Sequence, residues 1–172
     1  MKVIIETERL LLREFQLGDA EKMYQLNLDP DVIKYTGDGS FNSINEAKYF
    51  LSNYKEYKKN KFGRWAVLLK SNNDFIGWCG LKLNEENMID LGFRFFQKYW
   101  NKGFASEAAL SCLEYGFNIL NIDTVVGRSL NKNLTSIKVL DKIGMKFWKS
   151  SLCHENEKYV YYKISNQEFK SI

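Results

Sequence analysis

The chain is poor in residues that break, staple or metal-clip a fold. Of its 172 residues, one is proline (Pro30), one is histidine (His154) and three are cysteine (Cys79, Cys112, Cys153). With a single proline and no repeat, low-complexity stretch or linker, a domain boundary has no obvious place to fall. One domain over residues 1–172 is the expectation. The cysteines are odd in number, widely spaced and without a C-x-x-C pair. That argues against a zinc site and for free thiols in a reducing, cytoplasmic compartment, with no metal. No apolar run approaches the roughly 18 residues of a membrane helix. The opening Met1-Lys2-Val3-Ile4-Ile5-Glu6 meets an acid too early for a signal peptide, so no membrane partner is expected. Clustered basic charge is missing as well. The net charge of +4 is spread among acids along the chain, which describes a mildly basic surface and excludes nucleic acid as a partner.

What is present has the balance of a globular protein, 45% hydrophobic and 27% charged. Residues 3–14 alternate as a strand. Asp19 is placed to cap a short helix to about residue 27, and Asp29-Pro30-Asp31 opens a helical turn, since proline suits a first helical position. Ser43-Ile44-Asn45-Glu46 reads as a capping box before a helix to about residue 60. Strands at 64–70, 75–83 and 88–96, separated by Asn-rich turns, make an antiparallel meander. A helix over 104–120, a strand over 123–129, a helix over 134–143 closed by Gly144, and strands at 145–149 and 159–164 complete a mixed α/β chain.

The junction Tyr99-Trp100-Asn101-Lys102-Gly103-Phe104-Ala105-Ser106-Glu107 lies between a strand and a helix. Asn and Gly tolerate the left-handed conformation, which lets several N–H groups point one way. The helix adds its free first-turn donors and the positive end of its dipole, so the turn suits a phosphate or pyrophosphate. Lys102 adds charge beside it. The plainer alternative is an ordinary strand-to-helix turn.

Four stretches in order tip the balance. Thr7-Glu8-Arg9-Leu10-Leu11-Leu12-Arg13, Ile89-Asp90-Leu91-Gly92-Phe93, Trp100-Asn101-Lys102-Gly103-Phe104-Ala105, and Asn133-Leu134-Thr135-Ser136 followed by Val139-Leu140-Asp141-Lys142-Ile143-Gly144-Met145 resemble the GNAT superfamily of N-acetyltransferases, of the RimJ/RimL-like, ribosomal-protein type. The third stands where the superfamily has its Gln/Arg-x-x-Gly-x-Gly/Ala pyrophosphate loop. Trp100 replaces the Gln/Arg, as is usual in the subgroup. Asn101 stands where the subgroup has Gly, and Met145 replaces a usual Phe.

The resemblance implies a single α/β (α+β) domain with a mixed, mostly antiparallel, twisted sheet flanked by helices and opened into a V around acetyl-CoA. It implies transfer of acetyl from acetyl-CoA to a primary amine, with a protein N-terminus favoured. A small amine, amino sugar, polyamine or aminoglycoside is the alternative acceptor, and a non-catalytic acyl-CoA-binding module is the alternative class. Residues 100–106 (Trp100, Asn101, Lys102, Gly103, Phe104, Ala105, Ser106) would hold the cofactor with Asn133, Ser136 and the strand Phe93-Arg94-Phe95. An N–H near Phe95 would polarise the thioester. On their own, Leu91, Phe93 and Phe95 equally read as core positions.

Departure of a thiolate needs little help, because a thiol has a pKa of about 8.5. Ser136 is therefore expected to orient the thiol, or else simply to start a helix. Three groups are candidates to take the amine proton: Glu155, nineteen residues after Ser136, a spacing similar to RimL-like enzymes; Asp90, which is equally placed as a counter-charge for the amine; and His154. Residues 154–158 also read as a polar hairpin loop. No cysteine sits in a motif for an acyl-enzyme, so transfer is expected to be direct. The state of assembly is left as monomer or homodimer.

Overall fold

A computed structural model describes residues 2–37, 39–152 and 157–171. Its elements are β1 (Val3–Glu6), β2 (Leu10–Arg13), α1 (Ala20–Leu28), α2 (Pro30–Ile33), α3 (Ile44–Ser52), α4 (Glu56–Asn60), β3 (Arg64–Leu69), β4 (Phe75–Leu83), β5 (Ile89–Phe95), α5 (Phe104–Asn118), β6 (Thr124–Leu130), α6 (Leu134–Lys142), β7 (Lys146–Leu152), β8 (Lys158–Ser165) and α7 (Asn166–Phe169). The strands form one sheet in the order β1-β2-β3-β4-β5-β6-β8-β7. Every neighbouring pair is antiparallel except β5 with β6.

Period-two alternation sorts the core into two layers. Trp65 and Val67 of β3 face α5, which buries Ala108, Ala109, Cys112, Leu113 and Phe117 on the same side. Ala66 and Leu68 face the other way, under Ala20, Met23, Leu26, Ala47 and Leu51 of α1 and α3. Small residues let α5 lie close to the sheet: a Cβ on Gly116 would sit 2.9 Å from a Leu81 methyl.

Four expectations need correction. The strand over 3–14 is two strands, because Thr7 turns the chain. Its N–H donates to Leu10 O and its hydroxyl accepts from Leu10 N–H, both at 3.0 Å. Asp19 precedes α1 without capping it. Its carboxylate takes two hydrogen bonds from the Arg13 guanidinium, at 2.7 and 2.6 Å, and one from Gln16 N–H. Both partners are buried, and an ion pair there outcompetes a helix donor. The helix expected to run to 60 stops at Ser52, because Asn53 turns its side-chain amide back onto Tyr49 O. Ser43 does accept from Glu46 N–H, but the Glu46 carboxylate bonds Asn42 instead of completing a capping box. The reading also missed α7, started by a reciprocal box between Ser165 and Glu168.

Candidate active site

The site begins where two strands part. β5 and β6 pair only at Asp90–Val126 and Leu91–Gly127. β5 continues to Phe95 bonded to β4 alone, while β6 continues to Leu130 bonded to β8. The sheet therefore splits into a V, and a cleft of ≈ 1030 Å³ opens there, reaching from β5 and β6 to the underside of α3. Parallel strands joined by a helical crossover, as β5 and β6 are through α5, can diverge in this way because no tight turn holds them together beyond the last bonded pair.

The turn after β5 is held in place from both sides. The Trp100 indole N–H donates to Phe95 O at 2.8 Å. Asn101 and Gly103 both take left-handed backbone, at φ 58 and 81. The first bond inside α5 runs from Glu107 N–H to Gly103 O, so the N–H groups of Phe104, Ala105 and Ser106 have no helical acceptor behind them. The β1–β2 turn anchors this end. Glu107 accepts from the Thr7 hydroxyl at 2.6 Å and from Arg9 N–H and Nε at 2.9 and 2.6 Å. Arg9 Nη1 also donates to Lys102 O, and its guanidinium stacks 4.4 Å from the Phe104 ring centre. Burial pushes the Glu107 carboxyl up, but the bonds from Thr7 and Arg9 and the Arg9 charge outweigh it and hold the carboxyl below its ordinary value.

On the opposite arm, Asn133 caps α6 by accepting from Ser136 N–H at 3.2 Å, and both residues line the cleft. Phe93 and Phe95 face the α5 layer, whereas Arg94 is turned to the other face. There it is buried, bonds Asn27 Oδ1 and lies 5.4 Å from the Trp78 ring. Asp90 lines the cleft, but its Oδ2 is engaged by the Arg64 guanidinium, which also donates to the carbonyls of Asp90 and Gly80. Glu155 and His154, and with them Cys153, lie outside the described residues. Cys79 and Cys112 are free and buried, 3.7 Å apart, and burial pushes the Cys112 thiol up.

Aromatic side chains wall the other lobe of the cleft, among them Tyr35, Phe41, Tyr49, Phe50, Tyr54 and Trp78. The loop before α3 approaches β8 across the mouth: a Cβ on Gly37 would lie 3.7 Å from Tyr159 Oη. Of the five carboxylates lining the cleft among the described residues, four are engaged. Glu46 bonds Asn42, Glu56 bonds Asn60, Glu86 pairs with Lys149, and Asp90 pairs with Arg64; Glu85 is exposed in the β4–β5 turn. The role of Arg64 was not read from the sequence. Its only signal was a charge opening an otherwise apolar strand.

An open sheet split between parallel strands, with an anion-suited turn after the first, defines a class of acyl-transferring folds. The model of the acetyltransferase (GNAT) domain matches residues 9–146, and the chain belongs to that family. It is 35% identical to the uncharacterized N-acetyltransferase YnaD of Bacillus subtilis (strain 168), over 96% of this chain and 98% of that one. Among solved structures it is similar to a GNAT-family acetyltransferase from Bacillus anthracis, at TM-score 0.81 and 31% identity over 95% and 98% of the two chains. The same fold recurs at 19% identity and TM-score 0.81 in spermidine N-acetyltransferase from Vibrio cholerae in complex with CoA and spermine, over 95% and 99%. It recurs at 17% identity and TM-score 0.82 in ribosomal-protein-S5-alanine acetyltransferase from Vibrio fischeri, over 98% and 99%. The chain is an N-acetyltransferase. No helix among the described residues is long and apolar enough to cross a membrane.

Proposed function

We propose that the chain transfers acetyl directly from acetyl-CoA to the α-amine of a protein N-terminus. The observation that carries the cofactor half is the split between β5 and β6 with the anion turn at its end. The N–H groups at residues 103–106 bind the pyrophosphate. The pantetheine arm lies along the free edge of Phe93-Arg94-Phe95, and a β5 N–H polarises the thioester carbonyl. The amine nitrogen attacks that carbon, the C–S bond breaks and the sulfur leaves as thiolate. Ser136, on the facing arm of the V, orients the sulfur.

The engaged carboxylates favour an α-amine over a lysine. An α-amine titrates near 8 and is partly neutral at pH 7, whereas a lysine amine titrates near 10.4 and needs a stronger pull on its proton. Asp90, held by Arg64, serves as counter-charge for the incoming ammonium, and Glu155 takes the proton. A polyamine is the second reading, favoured by the five carboxylates around the cleft.

The test is thiol release from acetyl-CoA with two acceptors, a hexapeptide bearing a free N-terminal alanine and spermidine, with mass spectrometry locating the acetyl group. Acetylation of the peptide α-amine is expected. Preference for spermidine would replace the acceptor, and no release with either would exclude both acceptors.

A further inference from the structure

Arg64 is held at several points along the cleft. Its backbone is gripped by two tyrosines of the preceding segment: Arg64 N–H donates to Tyr54 Oη at 2.6 Å, and Tyr57 Oη donates to Arg64 O. Both phenols are raised by burial, Tyr54 to about 12, so they remain neutral hydroxyls at working pH. The guanidinium then crosses the sheet face over β4 and β5. It donates to Gly80 O and to Asp90 O, the latter at 2.8 Å, ion-pairs with Asp90 Oδ2, and lies 5.6 Å from the Trp78 ring centre. It passes directly over Gly92, where a Cβ would sit 2.6 Å from Nη2 and 2.7 Å from Cζ. The absence of a side chain at residue 92 is what leaves room for the guanidinium.

We propose that Arg64 is the positioning residue of the acceptor site and Gly92 is its seat. With Oδ2 and the backbone of Asp90 fixed by one planar fork, Oδ1 is the carboxylate oxygen left to receive the acceptor ammonium beside the split. A fork has the right shape for this task, because it bonds a carbonyl and a carboxylate oxygen at once, which a lysine point charge does not. The inference rests on the reading of this cleft as the acceptor site.

The atoms that a Gly92→Ala methyl would meet are the far end of a flexible side chain, so the guanidinium can swing away without disturbing the strands. That makes Gly92→Ala a mild way to unseat Arg64. The experiment is a double-mutant cycle with Arg64→Gln, Gly92→Ala and both together, using the free-alanine hexapeptide and spermidine as probes. Each single variant should raise the KM of the accepted probe about tenfold, the worth of one charge-assisted contact. Acetyl-CoA affinity by calorimetry should be unchanged. The double variant should be no worse than Arg64→Gln alone, and Arg64→Lys should not rescue. Unchanged KM in Arg64→Gln, or fully additive losses, overturns the proposal while leaving the acetyltransferase reading intact. If neither probe is acetylated, the acceptor reading falls first. The thermal cycle then decides, because Gly92→Ala should lower Tm in the parent and not in Arg64→Gln, and additive shifts overturn the seat.

Discussion

The two ends of the cleft are built differently. The end at residues 100–107 is fixed by backbone: two left-handed residues, an indole bond to Phe95 O and a turn from the far edge of the sheet clamp it before any ligand arrives. The end under α1 and α3 is fixed by side chains, with aromatic rings on the wall and Asp90 held by Arg64. A backbone site suits a group that never changes, such as a pyrophosphate. A side-chain site can be re-specified by single substitutions, which suits an acceptor.

The comparison breaks most sharply at proton removal. Glu155→Gln is expected to lower kcat by about 10²–10⁴, the range of a placed general base, with unchanged acetyl-CoA affinity. The loss should shrink as pH rises and more amine is already neutral. Ser136→Ala should cost far less, for the thiolate reason. Equal pH–rate profiles for Glu155→Gln and the parent would move the base to Asp90, His154 or water.

Next in size is the backbone end. Gly103 has φ 81, and a side chain there would also approach Arg9 at 3.3 Å. Gly103→Val should weaken acetyl-CoA binding by about tenfold or more, since strain of this kind is worth roughly 1–3 kcal/mol. Wild-type affinity by calorimetry would remove the turn from the cofactor site.

A smaller effect should appear at the side-chain end. Tyr49 and Phe50 are exposed on the cleft wall. Tyr49→Ala with Phe50→Ala should raise acceptor KM by about three- to tenfold through lost aromatic contact, with acetyl-CoA affinity untouched. A change in acetyl-CoA affinity instead would blur the division between the ends.

The mildest prediction concerns Glu107. Its folded carboxyl is held below the ordinary value, so it contributes stability above its unfolded pKa of about 4.3. That contribution is lost as pH falls through the depressed folded value. The Tm gap between the parent and Glu107→Gln should be full at neutral pH and close on acidification below about pH 4. A gap independent of pH would mean that shape, not charge, holds the β1–β2 turn to α5.

Local chemistry made much of this legible in the residues. Period-two alternation marked β3, β4 and β5. Asn101 and Gly103 announced a left-handed turn, and Asn133 announced the α6 cap, because each acts on neighbours within four positions. The same locality misled at Asp19, whose sequence neighbours suggest a cap while Arg13 takes its carboxylate. Asp90 could be singled out as a cleft acid, but nothing near it in sequence names Arg64, twenty-six positions earlier.

The sequence by itself determined the order of elements from β3 to β8 and the anion-suited turn, since these follow from backbone preference and the alternation of neighbouring side chains. Only the tertiary structure decided where β5 and β6 part, how the β1–β2 turn clamps α5, and that a guanidinium lies in the space left by Gly92. Each of those joins distant segments, and its energy exists only once the sheet has brought them within hydrogen-bond reach.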